Sequence, residues 1–165
     1  MADASTAALY ELRRLEPLER LIVDGIPPGQ GSWRRILEGV APSSPQVRRA
    51  EFSVVRGACQ LICVLESNHA HRLRQRLRAR ARRFGAQTVH EERDLSEVRL
   101  WCPSGVAALA VRCARALDSG EVELRQSWLT DEALTLLVAR EHGPATLQIC
   151  HDQAERWFVG DGGPR

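Results

Sequence analysis

The sequence contains no lysine, and all 23 of its basic residues are arginine. It has one tyrosine and an aromatic content of only 5%, so it offers little material for the aromatic platforms on which many proteins stack nucleic-acid bases. No apolar run approaches the roughly 18 residues of a membrane-spanning helix, and we therefore expect no membrane association. Asp3 and Glu11 lie within the apolar N-terminal stretch, which argues against a secretory signal or a mitochondrial presequence.

The lack of lysine has two explanations that the sequence leaves open. A GC-rich genome replaces lysine codons with arginine codons, whereas selection against lysine modification would give the same composition. Arginine also forms bidentate and stacked contacts that lysine does not form. The formal net charge is only +2, which excludes a strong field of the whole protein that would attract it to nucleic acid.

The five cysteines indicate a reducing compartment. Their number is odd, and each lies among apolar residues, so we expect buried, reduced thiols rather than a disulfide framework. Without a signal sequence, this predicts a cytoplasmic or nuclear protein. The cysteines are Cys59, Cys63, Cys102, Cys113 and Cys150.

Residues 1–46 are predicted to form an N-terminal helical arm. Leucines at positions 9, 12, 15 and 18, followed by Ile22, have helical spacing and predict a helix over 5–23 that is kinked at Pro17. The segments 24–32 and 41–46 are rich in proline, glycine and serine and interrupt regular structure. We expect this arm to contact the main domain or a partner.

Residues 47–159 are predicted to form an α+β domain, followed by a flexible tail at 160–165. The runs AEFSVV and QLICVL, separated by RGA, predict a hairpin. Helices are expected over 68–84 and 104–118, with two strands between them divided by a turn at DLS. A three-strand meander is expected at the end, although 130–140 also fits a helix. The order ββα-ββα-βββ predicts an antiparallel sheet with two helices on one face, a ferredoxin-like or related two-layer sandwich.

The stretch NHAHRLRQRLRARARRF at 68–84 is the most unusual feature of the sequence, because it holds seven arginines and no acid. Leu73, Leu77, Ala81 and Phe84 form its apolar stripe. Like charges one helical turn apart repel, and several such pairs cost roughly 1–2 kcal/mol unless something compensates them. The arginines are Arg72, Arg74, Arg76, Arg78, Arg80, Arg82 and Arg83.

Three kinds of group would compensate these arginines. The first is the protein's own carboxylates, either Glu91, Glu92, Asp94 and Glu97 or Glu121 and Glu123. The second is an acidic surface of a partner protein, and the third is nucleic-acid phosphate. The modest charge, the few aromatic residues and the lack of a nucleic-acid-binding motif make nucleic acid the weaker of the two external partners.

No catalytic, metal-binding or cofactor-binding site is predicted. Cys59 and Cys63 resemble metal ligands together with His69 and His71, but four residues along a strand separate the thiols by about 13 Å, too far for one ion. Cys-His-Asp at 150–152 would alternate between the two faces of a strand and so form no triad. The sequence has no phosphate-binding glycine loop or nucleophile elbow.

These observations favour a non-catalytic subunit or adaptor of an intracellular complex. It would bind partner proteins through the N-terminal arm and the seven arginines, with Trp33 of the arm as an exposed aromatic anchor. The alternative is a nucleic-acid-binding module that uses the same arginines. The two differ in the salt dependence of binding, which is steep for phosphate contacts.

Overall fold

The computed structural model describes residues 10–29, 31–42 and 47–159, and it contains six strands and four α-helices in this part of the chain. A short 3-10 turn at Arg140–His142 precedes the last helix. None of the described helices is long and apolar enough to cross a membrane. The elements are β1 (Glu11–Ile26), α1 (Ser32–Leu37), β2 (Val47–Val55), β3 (Ala58–Glu66), α2 (Ser67–Arg83), β4 (Thr88–Trp101), α3 (Val106–Ser119), β5 (Leu124–Leu129), β6 (Ala133–Ala139) and α4 (Gly143–Val159).

The chain divides into two compact units. The inner unit comprises residues 17–95, and the split unit combines the residues up to 16 with those from 96 onward. The inner unit has the element order β-α-β-β-α-β, with its strands arranged β2-β3-β1-β4. The split unit has the same order if its elements are counted from residue 96, as β4, α3, β5, β6, α4 and finally β1. Its strands are arranged β5-β6-β4-β1. Both units therefore have the element order and strand arrangement of ferredoxin-like folds.

The predicted N-terminal helical arm is wrong, because residues 11–26 form strand β1. Leucines spaced by three residues suggested a helix, but Pro17 is unsuitable for a helix interior, and the β-branched pair Ile22-Val23 favours a strand. From Leu18 to Val23, β1 pairs antiparallel with β3. The predicted division into an arm at 1–46 and a domain at 47–159 is replaced by the two units, and the predicted tail at 160–165 lies outside the described residues.

Two further segments differ from the predicted ββα-ββα-βββ order. Residues 88–101 form the single strand β4, and the expected turn at DLS is reduced to Asp94 with a left-handed φ of 53°. Residues 143–159 form helix α4 instead of a strand. Pro144 follows the first residue of this helix, where its missing N–H costs no hydrogen bond. The predicted strand within 130–140 is confirmed as β6, which pairs antiparallel with β5.

The hydrophobic core of the inner unit lies on one face of its strands. Alternate residues of β3 from Cys59 to Leu65 point to this face and meet Leu21 and Val23 of β1. Ile36 of α1 and the apolar stripe of α2 cover them. The predicted two-layer arrangement of helices on a sheet is therefore found in this unit.

The split unit has an equivalent core. The alternating residues Leu134, Leu136 and Val138 of β6 pack with Leu109 and Leu117 of α3. Helix α4 contributes its own stripe of Leu147, Cys150, Ala154 and Trp157 at helical spacing. This stripe is the sequence signal for a helix that the strand prediction overlooked.

The connection between β2 and β3 confirms the predicted hairpin. Val55 pairs with Ala58, so the loop has two residues, Arg56 and Gly57. Both have positive φ angles, 51° and 80°. This is the conformation of a type I′ turn, whose twist matches that of the flanking strands.

Helices α2 and α3 both end in a turn that requires a left-handed residue. After α2 this residue is Gly85, with φ 77°, and the Ala86 N–H donates to the Ala81 carbonyl at 2.9 Å. Helix α3 ends at Ser119 with Gly120 as its C-cap, and the left-handed residue that follows is Glu121, with φ 55°. A side chain therefore occupies a conformation that glycine adopts at lower cost.

Replacing Glu121 by glycine should stabilise the protein. We expect Glu121→Gly to raise the free energy of unfolding by about 0.5 kcal/mol, because the left-handed strain is relieved. Ala114→Gly, at an exposed position inside the same helix, is the matched control and should lower it by about 1 kcal/mol. Urea denaturation measures both values, and a loss of stability in Glu121→Gly would contradict this account of the helix end.

Candidate partner-binding site on helix α2

Helix α2 presents its arginines outward because its apolar residues occupy a single stripe. Ala70, Leu73, Leu77 and Ala81 are buried against β1 and β3. The helix begins directly after β3, with Glu66 at the N-cap and no side-chain hydrogen bond at that position. The helical period then distributes the seven arginines over the remaining sides.

Arg74 is the arginine most fully compensated by the protein itself. Its side chain is only 12% exposed, and it donates a hydrogen bond to Glu91 Oε2 at 3.0 Å. Its guanidinium also lies 3.8 Å from Oε2 of Glu19, a buried carboxylate oxygen without a hydrogen-bond partner. A buried carboxylate is stable only beside a counter-charge. Arg74 therefore stabilises the inner unit and is poorly accessible to a partner.

The hydrogen bond from Arg74 holds the pKa of Glu91 below its ordinary value, and Arg93 lowers the pKa further. Arg93 lies 2.9 Å from the other carboxylate oxygen of Glu91, and Arg78 lies 3.4 Å from Oε2. The single carboxylate of Glu91 on β4 thus forms ion pairs with three arginines. Glu91 was among the acids that the sequence suggested for this task, whereas Glu19 was not.

Arg80 connects α2 to α1. Its guanidinium donates a hydrogen bond to the carbonyl oxygen of Arg35 and lies 3.9 Å from Glu38. Its stem passes over Gly39, where a β-carbon would lie 2.5 Å from the Arg80 Cδ. Gly39 is therefore required for this connection. Arg76 also has an interaction within the chain.

Arg72, Arg82 and Arg83 remain without a carboxylate partner in the part of the chain that the structure describes. All three are exposed. With 100° of rotation per residue, Arg72, Arg76 and Arg83 fall within about 40° of one another around the helix axis. We call these three residues the arginine ridge, and it extends over about 16 Å.

The C-terminal end of the arginine ridge meets a second arginine from α1. The guanidinium carbons of Arg83 and Arg35 each lie 5.5 Å from the centre of the Phe84 ring. Cations are attracted to the face of an aromatic ring, so Phe84 holds the two positive groups near each other. Arg35 was missed by the sequence analysis because its segment was assigned to the arm.

Trp33 is 42% exposed, as expected for the predicted anchor, and its ring lies 5.6 Å from that of Phe52 on β2. Val54 and Val55 on the same strand are 69% and 45% exposed. Strand β2 is the terminal strand in the arrangement of the inner unit. The aromatic pair and the valines form an exposed apolar area on this strand.

The buried cysteines include thiols whose pKa values are shifted in opposite directions. All five are free and buried, as predicted. Burial raises the pKa of Cys63 to about 12, so its thiol is neutral near pH 7. Cys113 and Cys150 share a hydrogen bond, which lowers the pKa of Cys113 and raises that of Cys150.

Two of the histidines that resembled metal ligands or bases, His71 and His151, have other contacts. His71 lies 3.0 Å from the Gln75 amide nitrogen. His151 lies on α4 rather than on a strand, and its Nδ1 is 2.9 Å from the Tyr10 hydroxyl. Burial raises the pKa of Tyr10, with a smaller contribution from Glu155. Among residues 10–29, 31–42 and 47–159, no three histidine, cysteine or acidic residues are grouped closely enough to hold a metal ion.

The described residues thus define an α+β chain of two β-α-β-β-α-β units with an arginine-rich surface on the inner unit. No protein-family model matches the sequence, and no curated protein matches it. Solved structures do match the fold.

The regulatory subunit of aspartate kinase from Thermus thermophilus, in a ligand-free form, aligns with a TM-score of 0.74 at 14% identity. The corresponding subunit from Thermus flavus has a TM-score of 0.76 at 15% identity. Both alignments cover 87% of this chain and 97% of the other. Aspartate kinase from Synechocystis gives a TM-score of 0.76 at 9% identity, with 93% of this chain and 28% of that one covered. At sequence identities this low, the similarity to these structures shows a shared fold and nothing further.

The Glu91 carboxylate should stabilise the protein only while it is ionised. Because its pKa is lowered on folding, its contribution is present at neutral pH and is lost as the pH falls through the folded-state pKa. We expect Glu91→Gln to lower the urea midpoint at about pH 7, and the difference from wild type to shrink towards about pH 3.

The control is Glu123→Gln, which removes an exposed carboxylate paired with Arg125 on β5. Such exposed pairs contribute little, so its midpoint should stay close to that of wild type. An unchanged midpoint in Glu91→Gln at about pH 7 would refute the structural role of Glu91.

Proposed function

We propose that this chain is a non-catalytic regulatory subunit that controls an enzyme carried on another polypeptide. The observation that supports this most directly is the length of the alignment with the Thermus regulatory subunits, each of which is covered over 97% of its length.

The chemistry of the described residues agrees with this proposal. The Cys63 thiol is held neutral by burial, and Tyr10, which contacts His151, has a raised pKa. A catalytic nucleophile or base requires a pKa near the working pH, so these shifts have the wrong direction. The five free thiols are consistent with a reducing compartment such as the cytoplasm.

We further propose that the partner presents an acidic surface to the arginine ridge. Arg72 and Arg83 are exposed and unmatched by carboxylates of the described chain, while Arg74 is already used internally. Carboxylates of a partner would form charge-assisted hydrogen bonds with these guanidinium groups and relieve their mutual repulsion. An aspartate kinase is the first catalytic chain to test, because the structural neighbours are aspartate kinases or their regulatory subunits.

Tagged chain should recover a catalytic polypeptide from native extract in a fixed ratio, and nuclease treatment should leave the recovery unchanged. Adding the purified chain to that polypeptide should alter its turnover rate. The double variant Arg72→Glu/Arg83→Glu should weaken the association at least about tenfold, because two attractive contacts become repulsive. Surface plasmon resonance at two salt concentrations measures this affinity, which should fall as salt is added.

The matched control is Arg34→Glu/Arg56→Glu, which reverses two exposed arginines of the inner unit that lie outside α2. Its affinity should stay within about threefold of wild type. Equal losses in both double variants would exclude the arginine ridge as the binding surface. Recovery that depends on nucleic acid would instead support the alternative, a nucleic-acid-binding module.

A further inference from the structure

An open cavity of about 560 Å³ lies in the inner unit between the loop after β1, helix α1 and the end of α2. Its volume falls within the range of roughly 300–1,000 Å³ that is typical of small-molecule sites. No carboxylate is among its lining residues. These are Pro27, Gly29, Ser32, Arg35, Arg83 and Phe84.

The two arginines of this cavity both lie beside the Phe84 ring and carry unused donors. Each guanidinium carbon lies 5.5 Å from the Phe84 ring centre, so the two carbons are at most about 11 Å apart. The ring attracts positive charge but does not engage the five N–H donors of each guanidinium as a carboxylate does. Neither arginine has a carboxylate partner among the described residues.

The surrounding contacts hold Arg35 in position without neutralising it. The neighbouring acid, Glu38, lies 3.7 Å from Arg34 and 3.9 Å from Arg80. Arg80 also donates to the carbonyl oxygen of Arg35, which fixes this turn of α1 to α2. A pair of cations that is already in place avoids part of the ordering cost of binding.

We propose that this cavity binds a small organic anion through its carboxylate or phosphate groups. Arg35 and Arg83 would each form charge-assisted hydrogen bonds with the anion, in the bidentate geometry that guanidinium favours. The Ser32 hydroxyl supplies a further donor at the cavity wall. Phe84 and Pro27 provide apolar surface for a short carbon skeleton. A dianion fits best, because it matches the charge of both arginines.

Isothermal titration of the full-length chain tests this site with two probes, inorganic phosphate and malonate, at an ionic strength held constant with chloride. We expect saturable binding of at least one probe at a single site. Binding of phosphate identifies phosphate-bearing ligands, whereas binding of malonate identifies dicarboxylates. Arg35→Gln and Arg83→Gln should each weaken the dissociation constant at least about tenfold, because each removes a charge-assisted contact.

Arg34→Gln and Arg82→Gln are the matched controls, since each removes the same charge from the adjacent position outside the cavity lining. Their dissociation constants should stay within about twofold of wild type, because an exposed charge acts only through the screened general field. Circular dichroism confirms that every variant is folded. Lack of saturable binding to wild type, or equal weakening in the controls, would overturn the proposal. Arg35 lies outside the arginine ridge, so this outcome is separate from that of the partner-binding test.

Discussion

Strands β1 and β4 impose the main constraint on this chain, because both units depend on them. In β1, the residues up to 16 belong to the split unit and those from 17 onward belong to the inner unit. In β4, the residues up to 95 belong to the inner unit and those from 96 onward belong to the split unit. The backbone must therefore stay extended through Pro17 in β1 and through the left-handed Asp94 in β4. Both residues would interrupt a regular ladder, and both lie within one residue of the unit boundary. The irregular positions of the two longest strands thus coincide with the change of unit.

The same sheet determines which arginines are available on the surface. Strands β1 and β4 place Glu19 and Glu91 beneath α2, where both lie within 4 Å of Arg74. Within the described chain, this leaves positive charge at the outer side and the C-terminal end of the helix. The proposed regulatory function depends on the outer side, and the proposed anion site depends on the end. One helix therefore supplies structural and surface arginines in alternation, because its period carries successive arginines to different sides.

Local sequence signals predicted the elements whose partners are close in the chain. The β2–β3 hairpin, helices α2 and α3 and strand β6 were all predicted from periodicity and turn residues. Strand β1 was not, because its leucine spacing imitates a helix and its pairing with β3 is non-local. Helix α4 was missed because Thr146 and Ile149 favour a strand locally. The arginines of α2 were evident from the sequence, but the buried partner Glu19 and the neighbour Arg35 became visible only through the fold.

The connectivity of the split unit also has a consequence for synthesis. The inner unit is contiguous and includes every strand that it needs once residue 95 has been made. The split unit cannot form until β4, β5 and β6 have been translated. Its strand β1 precedes all three in the chain but pairs beside β4, as the last strand in the order of this unit. Because contacts of such long sequence separation form slowly, the inner unit is expected to form first, and the split unit is expected to close only after β6 has been made.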